Sequence, residues 1–92
     1  MKQIFRVVSQ TEPIAVQSQK AESGQTSKCT ITLQEFGGKY EDTFVATMLG
    51  NLAQCRFYKD DLVMASLRFT TREYNGQVYQ DIVVNDISKL NN

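Results

Sequence analysis

The stretch FTTREYNGQVYQDIVV, residues 69–84, predicts a β-hairpin. Two runs rich in β-branched and aromatic residues flank the dipeptide Asn75-Gly76. Both central positions of a type I′ turn need positive φ angles, which Asn and Gly tolerate best, so this dipeptide is a strong signal for a two-residue turn. Arg72 and Tyr74 stand just before the turn, which raises the question of whether the hairpin also carries a function.

Residues 62–74 predict the first strand of this hairpin, because apolar and polar side chains alternate there with period two. The predicted core face holds Val63, Ala65, Leu67, Phe69 and Thr71, and the opposite face holds Met64, Ser66, Arg68, Thr70, Arg72 and Tyr74. The second strand covers residues 77–87, with Val78, Ile82 and Val84 expected in the core. Its continuous apolar run at residues 82–84 indicates burial on both faces.

Three further strands are predicted upstream of the hairpin. Residues 3–18 predict one long strand, or two short strands broken near Glu12-Pro13. Residues 28–36 alternate cleanly, with Cys29, Ile31 and Leu33 on the inner face, and predict the next strand after a polar loop at residues 19–27. Residues 40–49 predict a third strand after a turn at Gly37-Gly38.

A short helix is predicted between this third strand and the hairpin. Residues 50–58 place Leu52, Ala53 and Phe57 at roughly helical spacing, with Asn51 as a candidate N-cap and residues 59–61 as the end of the helix. Strand, loop, strand, turn, strand, short helix, strand, hairpin, strand is the order of the OB-fold. We therefore expect an all-β fold, a five-stranded OB-fold Greek-key barrel with a short helix between strands 3 and 4. Residues 1–92 are expected to form a single OB-fold domain, because 92 residues suffice for one core only.

The composition argues against several classes of protein. Ten Lys and Arg balance ten Asp and Glu, so no global basic field attracts nucleic acid. The chain has no His, which removes the commonest general base and metal ligand, and no pair of carboxylates is expected to converge on a substrate. We expect no enzyme, no catalytic residue, no metal and no cofactor. No apolar run approaches a membrane span, and the two cysteines, Cys29 and Cys55, are expected to be free thiols in or near the core, as in a cytoplasmic protein.

Four stretches in order resemble the bacterial single-stranded DNA-binding protein family, including its relative the primosomal replication protein. Cys29–Leu33 resembles the family's second strand, and Leu49–Ala53 resembles the junction between its third strand and helix. Thr70–Tyr74 is similar to the family's Arg-Thr-Arg-x-aromatic pattern, and Gln80–Val84 to its Thr-Glu-Val-Val run. The resemblance covers about two-thirds of the chain. It implies single-stranded DNA as the partner, with RNA as the other candidate, and work in DNA replication or in recombination and repair.

The resemblance also implies which residues bind. Arg72 would contact phosphate or base and Tyr74 would stack on a base, with Arg68 on the same strand face and Phe36 as a second stacking position. A guanidinium neutralises phosphate, and an aromatic ring is a stacking platform that tolerates any base. The other cations that would line the groove are Lys28, Lys39 and Arg56. Outward apolar residues (Val45, Leu49, Met64 and Val83) predict a homodimer or homotetramer.

A second function fits the same fold. In the family a basic residue stands beside the hairpin arginine, where this chain has Glu73, and the net charge is zero. An OB-fold that has lost its nucleic-acid groove would serve as a protein–protein interaction module instead. The placement of the cations separates the two functions: cations in one groove favour nucleic acid, and scattered cations favour the interaction module.

Overall fold

The computed structural model describes residues 2–17, 24–37 and 41–90. These residues form β1 (Lys2–Gln10), β2 (Ile14–Gln17), β3 (Gln25–Glu35), β4 (Thr43–Leu49), α1 (Asn51–Gln54), β5 (Leu62–Tyr74) and β6 (Gln77–Lys89). The first predicted strand is therefore two strands, with the break at Glu12-Pro13. When β1 and β2 are counted together, α1 lies between the third and fourth strands, as expected.

The strands close into a ring. β1 pairs with β5 through residues 2–6 and with β3 through residues 5–10. The β1–β3 register shifts between Val7 and Ser9, and a shift of this kind bends a strand, which lets β1 join two neighbours. β3 pairs with β4, β4 meets β6 in parallel at Thr47 and Val83, and β6 pairs with β5 to complete the circuit.

The core fills the inside of this ring. Cys29, Ile31 and Leu33 are buried, and so are Val63, Ala65 and Leu67, which confirms the inner faces predicted for β3 and for the first half of β5. The other buried residues are Phe5, Val7, Ala46, Met48, Ala53, Phe57, Val84 and Ile87. Phe44 links the core to the base of the hairpin, since its ring lies edge-on to those of Phe5 and Phe69, 6.0 and 6.2 Å away.

The two hairpin strands differ from the prediction toward the turn. Phe69 is 40% exposed and Val78 is 70% exposed, so the predicted core face is wrong from there outward. The reason is length: residues 71–80 extend past the ring, where no further strand among the described residues pairs with them. At the other end, Ser66 pairs with Asp86 but Leu67 pairs with Val84, so β6 carries one extra residue, Asn85. This bulge turns both Val84 and Ile87 inward, and the prediction missed Ile87 because a bulge breaks period two.

Four local predictions also need correction. Asn51 is the first residue of α1 and not its N-cap; that position belongs to Gly50, whose φ of 65° and ψ of −132° suit glycine alone. The helix ends at Gln54, well before residues 59–61. Cys29 and Cys55 are both free thiols, as predicted, but Cys29 alone of the two is buried and Cys55 is exposed. The predicted loop at residues 19–27 is shorter at its end, because residues 25–27 already belong to β3.

The predicted strand over residues 40–49 begins at Thr43. Its outward residues Val45 and Leu49 are 61% and 43% accessible in the single chain. Within the described part of the chain, no helix has the length and apolarity needed to cross a bilayer.

Candidate nucleic-acid interface

An open groove of about 460 Å³ crosses the outer face of the ring below the hairpin. Five strands contribute to it, and its lining residues are Val16, Gln17, Lys28, Thr47, Leu49, Thr70, Arg72, Asp81 and Val83. The alternation that buries Cys29, Met48 and Val84 places their neighbours in sequence on the outer face. The groove is therefore built from the outward residues of four strands that form the core (β3, β4, β5 and β6), together with Val16 and Gln17 of β2.

Arg72 is held in this groove by two neighbours on β6. Its Nε donates a hydrogen bond of 2.8 Å to Oδ2 of Asp81, and its guanidinium carbon lies over the Tyr79 ring, 5.2 Å from the centroid. The hairpin register explains both contacts, since Arg72 is directly opposite Tyr79 and Asp81 is opposite Thr70, one step away on the same face. The positive charge of Arg72 is thus balanced by a carboxylate.

Two other predicted cations lie on the same outer surface. Lys28 is exposed at the groove, opposite Leu49 of β4. Arg68 is exposed on the Arg72 face of β5, about 13 Å along the strand, and is opposite Val83. Among residues 2–17, 24–37 and 41–90, neither Lys28 nor Arg68 forms an ion pair. Their charges are available to an anion.

Tyr74 ends β5 two residues beyond Arg72, on the same face. Its side chain is 64% exposed, and Gln77 is opposite it. The sequence leaves open whether Tyr74 packs on Tyr79; in the structure the residue over the Tyr79 ring is Arg72. The Tyr79 hydroxyl donates to Oε1 of Gln77 at 2.5 Å. A large aromatic ring therefore stands at the hairpin tip, open to solvent.

Solved structures with the same arrangement identify the fold. The second OB-fold domain of replication protein A from Methanococcus maripaludis superposes with a TM-score of 0.73 over 99% of this chain and 83% of that one, at 16% identity. The chain has the OB-fold. An SSB domain from Synechococcus sp. is also similar, with a TM-score of 0.52, 17% identity, and coverage of 95% of this chain and 90% of that one. No protein-family model and no curated protein matches the sequence.

This OB-fold does not bring all the predicted residues together. Phe36 is 47% exposed but lines a different groove, with Lys2, Ile4 and Met64 among its neighbours. Arg56 donates to the carbonyl of Thr11 at 2.9 Å and pairs with Glu12 at 3.4 Å, so it braces the link between β1 and β2. Lys39 lies outside the described residues. Of the six predicted residues that the structure describes, Lys28 and Arg72 line the groove, with Arg68 and Tyr74 on the β5 face beside it.

The carboxylate that pairs with Arg72 belongs to Asp81 and not to Glu73, the acidic residue that the sequence analysis singled out. Glu73 is the next residue in β5, so its side chain points to the opposite face of the hairpin, where Val78 is its partner. Asp81 is the carboxylate that reaches Arg72. The sequence could have predicted this pair. A two-residue turn at Asn75-Gly76 fixes every pair in the hairpin, so Tyr79 is opposite Arg72 and Asp81 is the next residue on the same face of β6.

No catalytic or metal-binding arrangement stands out in the described ranges. No group of three or more Cys, Asp or Glu side chains comes close enough there to hold a metal ion. The ionic contacts in the same ranges are four surface or half-buried pairs, and each ties two strands or links together.

Proposed function

We propose that this OB-fold chain binds single-stranded nucleic acid, with DNA as the first candidate and RNA as the second, in the groove beside the hairpin. OB-folds bind oligonucleotides on the face of their second and third strands and on the adjoining loops. With β1 and β2 counted as one strand, β3 and β4 are those strands. The observation that carries the proposal is the shared groove of Lys28 and Arg72, with Tyr74 standing exposed beside it.

The proposed binding mode combines few charges with base stacking. Lys28 and Arg68 contact phosphates, and Tyr74 stacks on a base without strong sequence preference. Two phosphate contacts give a plot of log affinity against log salt with a slope of about −1.4. Arg72 contacts phosphate or base. We also propose that the chain acts by binding alone, without catalysis or a cofactor, as a cytoplasmic protein of DNA replication or of recombination and repair.

Fluorescence anisotropy of a labelled oligo-dT, measured over a range of salt concentrations, tests the proposal. Lys28→Ala is expected to flatten the salt slope by about 0.7, because one phosphate contact is lost. Tyr74→Ala is expected to cost about 1–3 kcal/mol of binding with no change of slope, because stacking is not ionic. The matched controls are Lys59→Ala and Tyr58→Ala, which remove an exposed lysine and an exposed tyrosine between α1 and β5.

The proposal fails if a well-folded wild-type protein does not bind at low salt at tens of micromolar concentration. It also fails in its details if the control variants lose as much affinity as the groove variants. Equal affinity of wild type, Lys28→Ala and Tyr74→Ala would assign both side chains to structure.

A protein–protein interaction module is the second candidate. Two observations favour it: Asp81 balances Arg72, and Val45 and Leu49 expose apolar surface on the outer face of β4. A chain with this function would show no oligonucleotide binding at any salt concentration, and its Tyr74 and Leu49 would lie in a protein interface. Val45, which lies outside the groove, also supports our proposal of a homodimer or homotetramer, in which several weak groove sites act together.

A further inference from the structure

We propose that Asp81 is a positioning residue that directs Arg72 to bases and away from phosphates. This inference rests on the proposed function and assigns a role to a carboxylate in the groove. Its starting point is the contact between Nε of Arg72 and Oδ2 of Asp81, at 2.8 Å, with the Tyr79 ring beneath the guanidinium.

The charge of the pair makes Arg72 a poor phosphate ligand. A phosphate that approached the Arg72 guanidinium would also approach the Asp81 carboxylate, and the two negative charges repel each other. Lys28 and Arg68 have no such carboxylate among the described residues. Phosphates therefore bind at Lys28 and Arg68, and Arg72 binds the bases of the ligand.

The geometry of the pair suits an uncharged ligand group. A guanidinium has five N–H donors, and only the one on Nε is used by Asp81. No described residue accepts from the two Nη atoms of Arg72, whose donors can bind the carbonyl oxygens and ring nitrogens of a base. Single-stranded nucleic acids present these base edges, and their bases also stack on guanidinium planes. Asp81 and Tyr79 both contact the side chain, and any freedom that these contacts remove is not lost again when a base binds.

Salt dependence distinguishes the two roles, because only a phosphate contact contributes to the salt slope. The experiment measures anisotropy of a labelled oligo-dT against salt for wild type, Arg72→Ala, Asp81→Asn and the double variant Arg72→Ala/Asp81→Asn. Glu73→Gln is the matched control, since it removes one negative charge from the same hairpin on the opposite face.

We expect Arg72→Ala to weaken binding several-fold with an unchanged salt slope. Asp81→Asn removes the negative charge beside the guanidinium, so that Arg72 can bind a phosphate, and is expected to steepen the slope by about 0.7. The double variant loses that steepening, and Glu73→Gln keeps the wild-type slope. The nuclear magnetic resonance signal of Arg72 Nε–H in the free protein should move in Asp81→Asn and stay in place in Glu73→Gln.

The inference is overturned if Arg72→Ala flattens the wild-type slope by about 0.7, or if Asp81→Asn behaves as Glu73→Gln does. If the wild type binds no oligo-dT, the proposed function is refuted. The inference about Asp81 is then tested by whether the Asp81→Asn variant binds oligo-dT. Binding gained by that variant supports the effect of the carboxylate on Arg72, and no binding by that variant overturns the inference as well.

Discussion

Gln10 is a single polar side chain that joins β1 to the segment after α1. Its Nε2 donates to the carbonyl of Cys55 at 2.7 Å, and its Oε1 accepts from the backbone N–H of Phe57 at 2.8 Å. Phe57 is buried, so its backbone N–H has little access to water. The amide of Gln10 thus takes the place of a neighbouring strand for residues 55–57, which belong to neither a strand nor a helix.

Replacing Gln10 by Ala is expected to cost about 1–3 kcal/mol of stability, because a backbone donor and a backbone acceptor lose their partner. Urea unfolding followed by circular dichroism measures the change in the free energy of unfolding. Gln80→Ala is the control, since Gln80 is an exposed hairpin residue and its loss is expected to change stability by less than about 0.5 kcal/mol. Equal effects of the two substitutions would show that the Gln10 hydrogen bonds add nothing.

The stability of the β5–β6 hairpin depends more on its own turn and cross-strand pairs than on contacts with the rest of the chain. Residues 71–80 are all exposed, and among the strands that the structure describes, β5 and β6 pair only with each other in this region. The turn residues Asn75 and Gly76 both have positive φ, 51° and 77°, as the type I′ prediction requires. A two-stranded ribbon with little buried surface is held by its turn and its cross-strand pairs, and it opens more easily than the ring.

Gly76→Ala tests this dependence on the turn. A Cβ at this position would meet no atom within 4 Å, so the cost is one of backbone conformation alone, about 1–2 kcal/mol. Amide hydrogen exchange is expected to become roughly 5- to 30-fold faster at residues 71–80, with little change at the buried Ile31 and Val63. Gly76→Asn should have a smaller effect, because Asn visits positive φ more readily. Equal acceleration throughout the chain would mean that the hairpin and the ring unfold as one unit.

The same hairpin shows which features of the structure local sequence patterns predict and which they do not. The turn type, the register and the inner face of residues 63–67 follow from an Asn-Gly dipeptide and from period two. The patterns failed at Val78 and at Ile87, because alternation reports which residues share a face and not what covers that face. An extended ribbon leaves Val78 in solvent, and the bulge at Asn85 turns Ile87 inward.

At the scale of the whole molecule, the candidate site is harder to predict than the fold. The order of strands and the short helix predicted the OB-fold, since both depend on local patterns. The site depends on which outward residues the closed ring brings together. The sequence placed Arg56 with Lys28 among the groove cations, and the resemblance made Phe36 a second stacking position. In the structure Arg56 is bonded to the link after β1 and Phe36 lies at another groove. Long-range strand pairing decides these positions, and no local pattern contains it.

The outer face of β4 carries the last prediction, which concerns assembly. Val45 and Leu49 are 61% and 43% exposed, and they flank Thr47 on this face. In the proposed homodimer or homotetramer Val45, which lies outside the groove, is covered by a second copy. Val45→Lys would then bury a charge and is expected to shift the protein to monomer in sedimentation equilibrium. Thr43→Lys is the control, because it adds the same charge on the same face at the exposed start of the strand. If the wild type sediments as a monomer, or if both variants dissociate equally, then Val45 is not part of an interface between copies.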